Sequence, residues 1–139
     1  MGSEGTEVIH GGENTLKVSL NCFARVKQRH DSFGDFTLPS VIISVEPVKN
    51  AYIELGKKGI PTRFITEITK ENISYCKELM KIIHELRHLD GLKGNFVVSE
   101  IDYVGIASQQ KAEPISQIIH SNVKAVIEQQ QYLFESLWN

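Results

Sequence analysis

The clearest pattern of apolar and polar positions in this chain runs from Thr62 to Asp90. Residues 63–68 carry β-branched and aromatic side chains on both sides of a pleat, as a strand covered on two faces must. Thr69 has N-cap chemistry, and Glu71 stands in a first turn, where the helix dipole favours a carboxylate. Behind them Ile73, Cys76, Leu79, Met80, Ile83 and Leu86 recur at the spacing of a buried helical stripe. The pattern predicts a strand, a helix reaching almost to His88 and the start of another strand. That is one βαβ unit with a right-handed crossover.

The rest of the chain is placed against that unit. Val8-Ile9-His10 reads as a short strand, and Asn14 as the cap of a first long helix that buries Leu16, Leu20, Phe23 and Val26. Residues 30–36 form a strand followed by a turn at 37–40, while the apolar run 41–45 is too short to type by periodicity. Pro47 suits the first turn of a second helix, which carries Val48, Ala51, Tyr52 and Leu55 inward and closes near Gly59. After Gly91 and Gly94, residues 95–100 and 103–107 read as adjacent strands, 109–113 as a polar loop and 114–120 as one more strand. Ser121 or Asn122 caps a last helix with Val123, Val126, Ile127, Gln130, Phe134, Leu137 and Trp138 along one side. Phe134 reads as core, and Trp138 as a contact with a second copy or a following domain. The order βαβαβαβββα predicts an α/β domain: a mixed, largely parallel sheet with helices on both faces.

Composition adjusts this picture little. The chain has 139 residues, 41% of them hydrophobic, which suits a single domain with a real core. Residues 1–6 read as a tag or disordered N-terminus and 7–139 as that domain, excised from a longer protein. A net charge of −2 with scattered Lys and Arg leads to the expectation of no nucleic acid and no membrane surface as partner. No apolar run approaches the roughly 20 residues that span a bilayer. Cys22 and Cys76 fall on apolar helix faces and read as reduced thiols of a cytoplasmic protein.

The sharpest motif is His84-Glu85-Leu86-Arg87-His88, an HExxH sequence. On one helix face, His84 and His88 would hold zinc, with Glu85 as general base. Gly94 stands where the extended motif needs a third histidine, and Glu100 or Glu113 would have to substitute. The plainer reading is a polar helix end with a cation near its negative pole. No GxSxG, P-loop or GxGxxG motif is present.

Residues 62–94, with Asp35-Phe36-Thr37-Leu38-Pro39-Ser40 upstream, and residues 119–138, IHSNVKAVIEQQQYLFESLW, carry a family resemblance. They resemble the N-terminal sensory domain of archaeal, thaumarchaeotal-type histidine kinases. That module is similar to one half of a phospholipase D-like fold, as is the effector-binding part of some archaeal sugar-responsive transcription regulators. Such a fold carries HxKxxxxD. With its aspartate aligned on Asp102, Asn95 stands in place of the histidine and Val97 in place of the lysine. Asparagine forms no phosphohistidine and valine binds no phosphate, so the resemblance implies the fold without its reaction. His88 and His120 are the histidines that could approach the motif in space.

The resemblance implies a cytoplasmic, ligand-sensing input domain of a signal-transduction histidine kinase. It implies no enzyme activity or cofactor in the domain itself, an unknown small-molecule ligand, a downstream kinase domain in the same chain and a homodimer. The alternatives are a diverged phospholipase D-like phosphodiesterase, an HExxH zinc peptidase, or a dimerisation module without ligand. A ligand pocket is expected at the carboxyl ends of the parallel strands, with Asp35, Thr37, Glu67, Thr69 and Asn72 around it and Tyr75 as a wall. The plainer reading has Thr69 capping a helix and Asp35 turning the chain.

Overall fold

The computed structural model describes residues 4–108 and 115–139. In chain order its elements are β1 (Thr6–His10), α1 (Gly12–Arg25), β2 (His30–Gly34), α2 (Leu38–Ser44), α3 (Glu46–Lys57), β3 (Thr62–Thr66), α4 (Ile73–Met80), β4 (Glu85–His88), β5 (Asn95–Ser99), β6 (Tyr103–Ser108), β7 (Gln117–Ser121) and α5 (Lys124–Trp138). The strands form one sheet in the order β1-β7-β6-β5-β2-β3-β4. Residues 1–3, the expected loop at 109–113 with Glu113, and Pro114 lie outside the described residues.

Side chains of the central strands alternate between two cores. On β2, Ser32 faces the layer of α1, α2, α3 and α4, where its hydroxyl meets Tyr52 at 2.7 Å. Phe33 faces the opposite side and packs with Ile65, Phe96 and Val98 under Ile127, Phe134 and Trp138 of α5. The first side gathers Leu38, Ile42, Val48, Tyr52, Phe64, Leu79 and Ile83. Helices therefore cover both faces, and the mixed α/β character stands. Gly34 ends β2 where α2 crosses it, and a side chain there would meet the Leu38 Cβ at 2.7 Å.

The sheet is not largely parallel. Among the described residues, β2–β3 and β3–β4 pair parallel, while β1–β7, β7–β6, β6–β5 and β5–β2 pair antiparallel. Parallel pairing needs a crossover helix, and between Gly94 and α5 the described residues supply none, so β5 and β6 meet through a short turn. The expected helix to His88 also fails. α4 stops at Met80, and His84 N is taken by both Thr62 O (3.0 Å) and Thr62 Oγ1 (2.8 Å), which pulls the chain onto the sheet edge. Glu85–His88 then forms β4 beside β3, with Leu86 opposite Phe64.

The 41–45 run belongs mostly to α2, with Pro39 in its first turn. α1 begins after Gly11, at φ 91°, and the Asn14 amide donates to His10 O instead of capping. Asn72, not Thr69, is the residue before α4; the two exchange Thr69 N–Asn72 Oδ1 (2.8 Å) and Asn72 N–Thr69 Oγ1 (3.2 Å) bonds. β1 begins at Thr6, and Gly5 N donates to Asn122 Oδ1 at 2.7 Å. Trp138 is buried within its own chain, its ring stacked 5.8 Å from that of Phe134. The expected contact with another copy or domain gives way to a core position.

Candidate functional site

The six residues nominated from sequence lie around the carboxyl ends of β2 and β3, and five of them are hydrogen-bonded, Asp35 with Thr37 and Asn72 with Glu67 and Thr69. Asp35 Oδ1 accepts from the Thr37 backbone and hydroxyl, and Asp35 Oδ2 accepts from Asn95 Nδ2 at 3.1 Å. Asn72 Nδ2 donates to both Phe36 O and Glu67 O at 2.9 Å, tying the two loops together. Glu67 also accepts from Gly91 N at 3.3 Å. Thr69 joins through Asn72, while Tyr75 is half-buried one turn into α4. These polar groups answer one another, and none of the six lines either of the two cavities described below.

His84 and His88 sit at the two ends of an extended segment, which separates them by roughly 13 Å at ~3.3 Å per residue. A single zinc ion cannot be shared at that distance. His88 instead accepts from Ile68 N at 2.9 Å and meets Asp90 at 2.6 Å.

Of the two histidines considered near the HxKxxxxD positions, His120 arrives. Its Nε2 lies 2.8 Å from Asp102 Oδ1, while Arg25 Nη2 lies 2.9 Å from Asp102 Oδ2. Glu7 approaches the other ring nitrogen at 3.7 Å. Cys22 completes the group, and ligand atoms of Cys22, Asp102 and His120 all lie within 4.8 Å of one another. That spacing suits a tetrahedral cation. In this arrangement Arg25 already supplies the positive charge that a cation would bring, and burial, then Asp102, push the Cys22 thiol up to about 12. The cluster is therefore a part-buried ion-pair network with a protonated thiol. Asn95, at the other end of β5, shares no part of it.

Beneath α1, α2 and α3 lies a cavity of about 240 Å³. Leu16, Phe23, Leu38, Ile42, Val97 and Ile106 are part of its wall, and among the described residues no Asp, Glu, Lys or Arg lines it. His30 also lines it, with its ring stacked on Phe23 at 4.6 Å and edge-on to Tyr52 at 5.2 Å. Burial lowers the His30 imidazole to about 4, overriding the opposite pull of Asp31 and Glu100, so the ring is neutral near pH 7. No single stretch of sequence marks this cavity, because its wall draws on six elements.

A second, more open groove of about 460 Å³ runs between the end of α3 and the segment joining α4 to β4. Lys57, Lys81 and His84 line it with Gly56, Gly59 and Ile82, and Lys58 is exposed at the C-cap of α3. Lys57 pairs with Glu54 at 3.4 Å and Lys81 with Glu78 at 3.3 Å. Both pairs are solvent-exposed and so worth little in stability. Among the described residues, no helix is long and apolar enough to cross a membrane.

The architecture is that of a mixed seven-stranded α/β domain. No family model and no curated protein matches the sequence. Among solved structures the chain is similar to TrmBL2, an archaeal chromatin protein with a novel mode of DNA binding. The likeness has a TM-score of 0.62 at 14% identity and covers 96% of this chain and 52% of the other, so this chain spans about half the length of the structure it matches. Identity this low speaks to the fold alone. With a DNA-binding chromatin protein among its structural neighbours, the histidine-kinase input reading, its kinase partner and the exclusion of nucleic acid are withdrawn. The phosphodiesterase and zinc-peptidase alternatives gain nothing from the comparison either.

Proposed function

We propose that this chain is a module of a DNA-associated protein and contacts the nucleic-acid backbone through the groove lined by Lys57, Lys81 and His84. The observation that carries this reading is the fold shared along 96% of the chain with a DNA-binding chromatin protein. The groove adds a place for the contact. Two exposed lysines and a histidine line it, with Lys58 next in the chain at the α3 C-cap, beside glycines whose backbone a phosphate can approach closely. The exposed Glu54 and Glu78 pairs break at little cost, so the lysines can exchange carboxylate for phosphate. Such contacts position a duplex without reading its sequence.

The test is fluorescence anisotropy with a labelled random duplex at 50 and 200 mM salt. Three phosphate contacts lead to a log–log salt slope of about −3. The triple variant Lys57→Glu, Lys58→Glu, Lys81→Glu should lose binding, while Lys124→Glu, at the start of α5, should keep it. Absence of binding at 50 mM salt, or equal loss in both variants, would reject the groove.

A further inference from the structure

The apolar cavity is separate from the basic groove and has no part in backbone contact. We infer that it is a binding site for a small, uncharged aromatic molecule carrying one hydrogen-bonding group. Size is the first reason. A dry cavity of roughly 150 Å³ lined by Leu, Ile and Phe already takes up benzene, and this one measures about 240 Å³. One fused pair of rings is the corresponding occupant.

The lining decides the chemistry. Among the described residues no charged side chain faces the cavity, so a phosphate, carboxylate or ammonium group would enter without a counter-charge from them. A sugar would bring many hydroxyls to a wall that answers few of them. Water fares no better, since a buried water needs two to four polar partners. Phe23, His30 and Tyr52 set faces and edges against one another at 4.6, 5.0 and 5.2 Å, a wall on which a further ring can pack by the same geometry.

Beside the Ser19 hydroxyl and the Cys22 thiol, which also line the wall, its deeply buried polar groups point to one hydrogen bond. The Tyr52 and Ser32 hydroxyls pair with each other at 2.7 Å. Thr15 Oγ1 lies within 3.0 Å of Gly12 O and 2.9 Å of Ile115 O. His30 Nδ1 is different: it is buried and has no hydrogen-bond partner. A buried nitrogen left unanswered carries its full desolvation cost, and native structures seldom keep one without a reason. The neutral ring can present Nδ1 as acceptor or donor, and a turn of the ring toward the cavity would let a ring N–H or a hydroxyl on the guest meet that need.

Indole, indene and indole-3-acetate separate these elements, because they share the fused ring and differ in the N–H and in charge. Amide chemical-shift titrations of the whole chain should show one saturable indole site, with the largest shifts in α1, α2 and β2. Indene should bind about five-fold more weakly, the worth of one hydrogen bond. Indole-3-acetate should not bind. His30→Phe should equalise indole and indene. Val45→Trp fills the cavity from a half-buried lining position and should abolish binding with an unchanged circular-dichroism spectrum; Ser19→Phe serves if that variant does not fold. The inference is overturned if indole gives no saturable shift up to its solubility limit. It is equally overturned if the charged analogue binds as well as indole, if indene matches indole in the unaltered chain, or if a folded, filled variant still binds. None of these outcomes depends on salt or on Lys57, Lys58 and Lys81, so they are read independently of DNA binding.

Discussion

Arg63 and Asp31 stand directly opposite each other on the parallel strands β3 and β2 and close a two-pronged ion pair. Arg63 Nε reaches Asp31 Oδ1 and Nη2 reaches Asp31 Oδ2, each at 2.9 Å, and the aspartate side chain is only 1% exposed. Gln131 Nε2 from α5 adds a third bond to Asp31 Oδ2 at 2.9 Å, and Glu135 takes the other side of the guanidinium. The hydrogen bonds to Asp31 and Glu135 raise the Arg63 pKa further, so this cation never titrates in the working range. The pair anchors α5 to the middle of the sheet.

Removing Asp31 leaves the part-buried Arg63 with Glu135 as its remaining acidic partner. Asp31→Ala should therefore cost about 3–5 kcal/mol, read from the urea midpoint. The double variant Asp31→Leu, Arg63→Met removes both charges and should recover most of that loss, since buried pairs are often replaceable by apolar groups. Losses that add across the single variants Asp31→Leu and Arg63→Met and their double variant would show that the pair does not act as a unit.

His30 gives the chain a pH dependence of defined sign. Its pKa in the folded state is lowered from 6.5 to about 4 by burial, so between those values the unfolded chain holds a proton that the folded chain lacks. Stability should fall as pH drops from about 6.5 to 4, by about 3 kcal/mol in all, and this contribution levels off below that. Glu135, lowered first by the Arg63 hydrogen bond, adds its own loss only at more acid pH, inside the carboxylate range. His30→Phe should flatten the upper window and leave the lower one. The check is a set of urea midpoints at pH 7, 6, 5 and 4. A slope between pH 6.5 and 5 that survives in His30→Phe would assign it to another group.

How much of this was legible in the sequence depends on the distance over which each feature is encoded. β2, β3 and the bodies of α3 and α4 were legible, because a covered strand or an amphipathic helix leaves its mark within about 25 residues, whereas α2 was read as a turn and an untyped apolar run. β4 was not: Ile83 and Leu86 stand three apart, which suits a helix, and the bonds from Thr62 that turn the chain come from 22 residues away. The antiparallel half was missed because the partners of β6 and β7 are set by register, not composition. The same limit hid the sites. Cys22, Asp102 and His120 meet only after the sheet forms, and the cavity wall looks in sequence like ordinary core. Net charge misled for a related reason. A sum of −2 does not reveal that Lys57, Lys58 and Lys81 come from the ends of neighbouring helices α3 and α4.

Trp138 is where the sequence reading and the fold disagree most directly, and a single substitution decides between them. A tryptophan near the chain end, on the apolar side of a terminal helix, reads as a surface waiting for a partner. In the fold its ring is 8% exposed, stacks on Phe134, and is covered by the Arg87 guanidinium 4.0 Å from the ring centroid and by that of Arg63 at 5.2 Å. Arg87 also donates to the Trp138 carbonyl. Those contacts make Trp138 the outer wall of the core between α5 and the sheet. Trp138→Ala should therefore cost about 3–5 kcal/mol, the range for emptying a buried aromatic site, and lower the melting temperature by roughly 10–20 °C. Trp138→Phe keeps the stacking on Phe134 and much of the cation–π contact, so it should lose less than half as much. The mass in solution should be the same for all three proteins. A Trp138→Ala variant with an unchanged melting temperature but a smaller mass in solution would return this residue to an interface role.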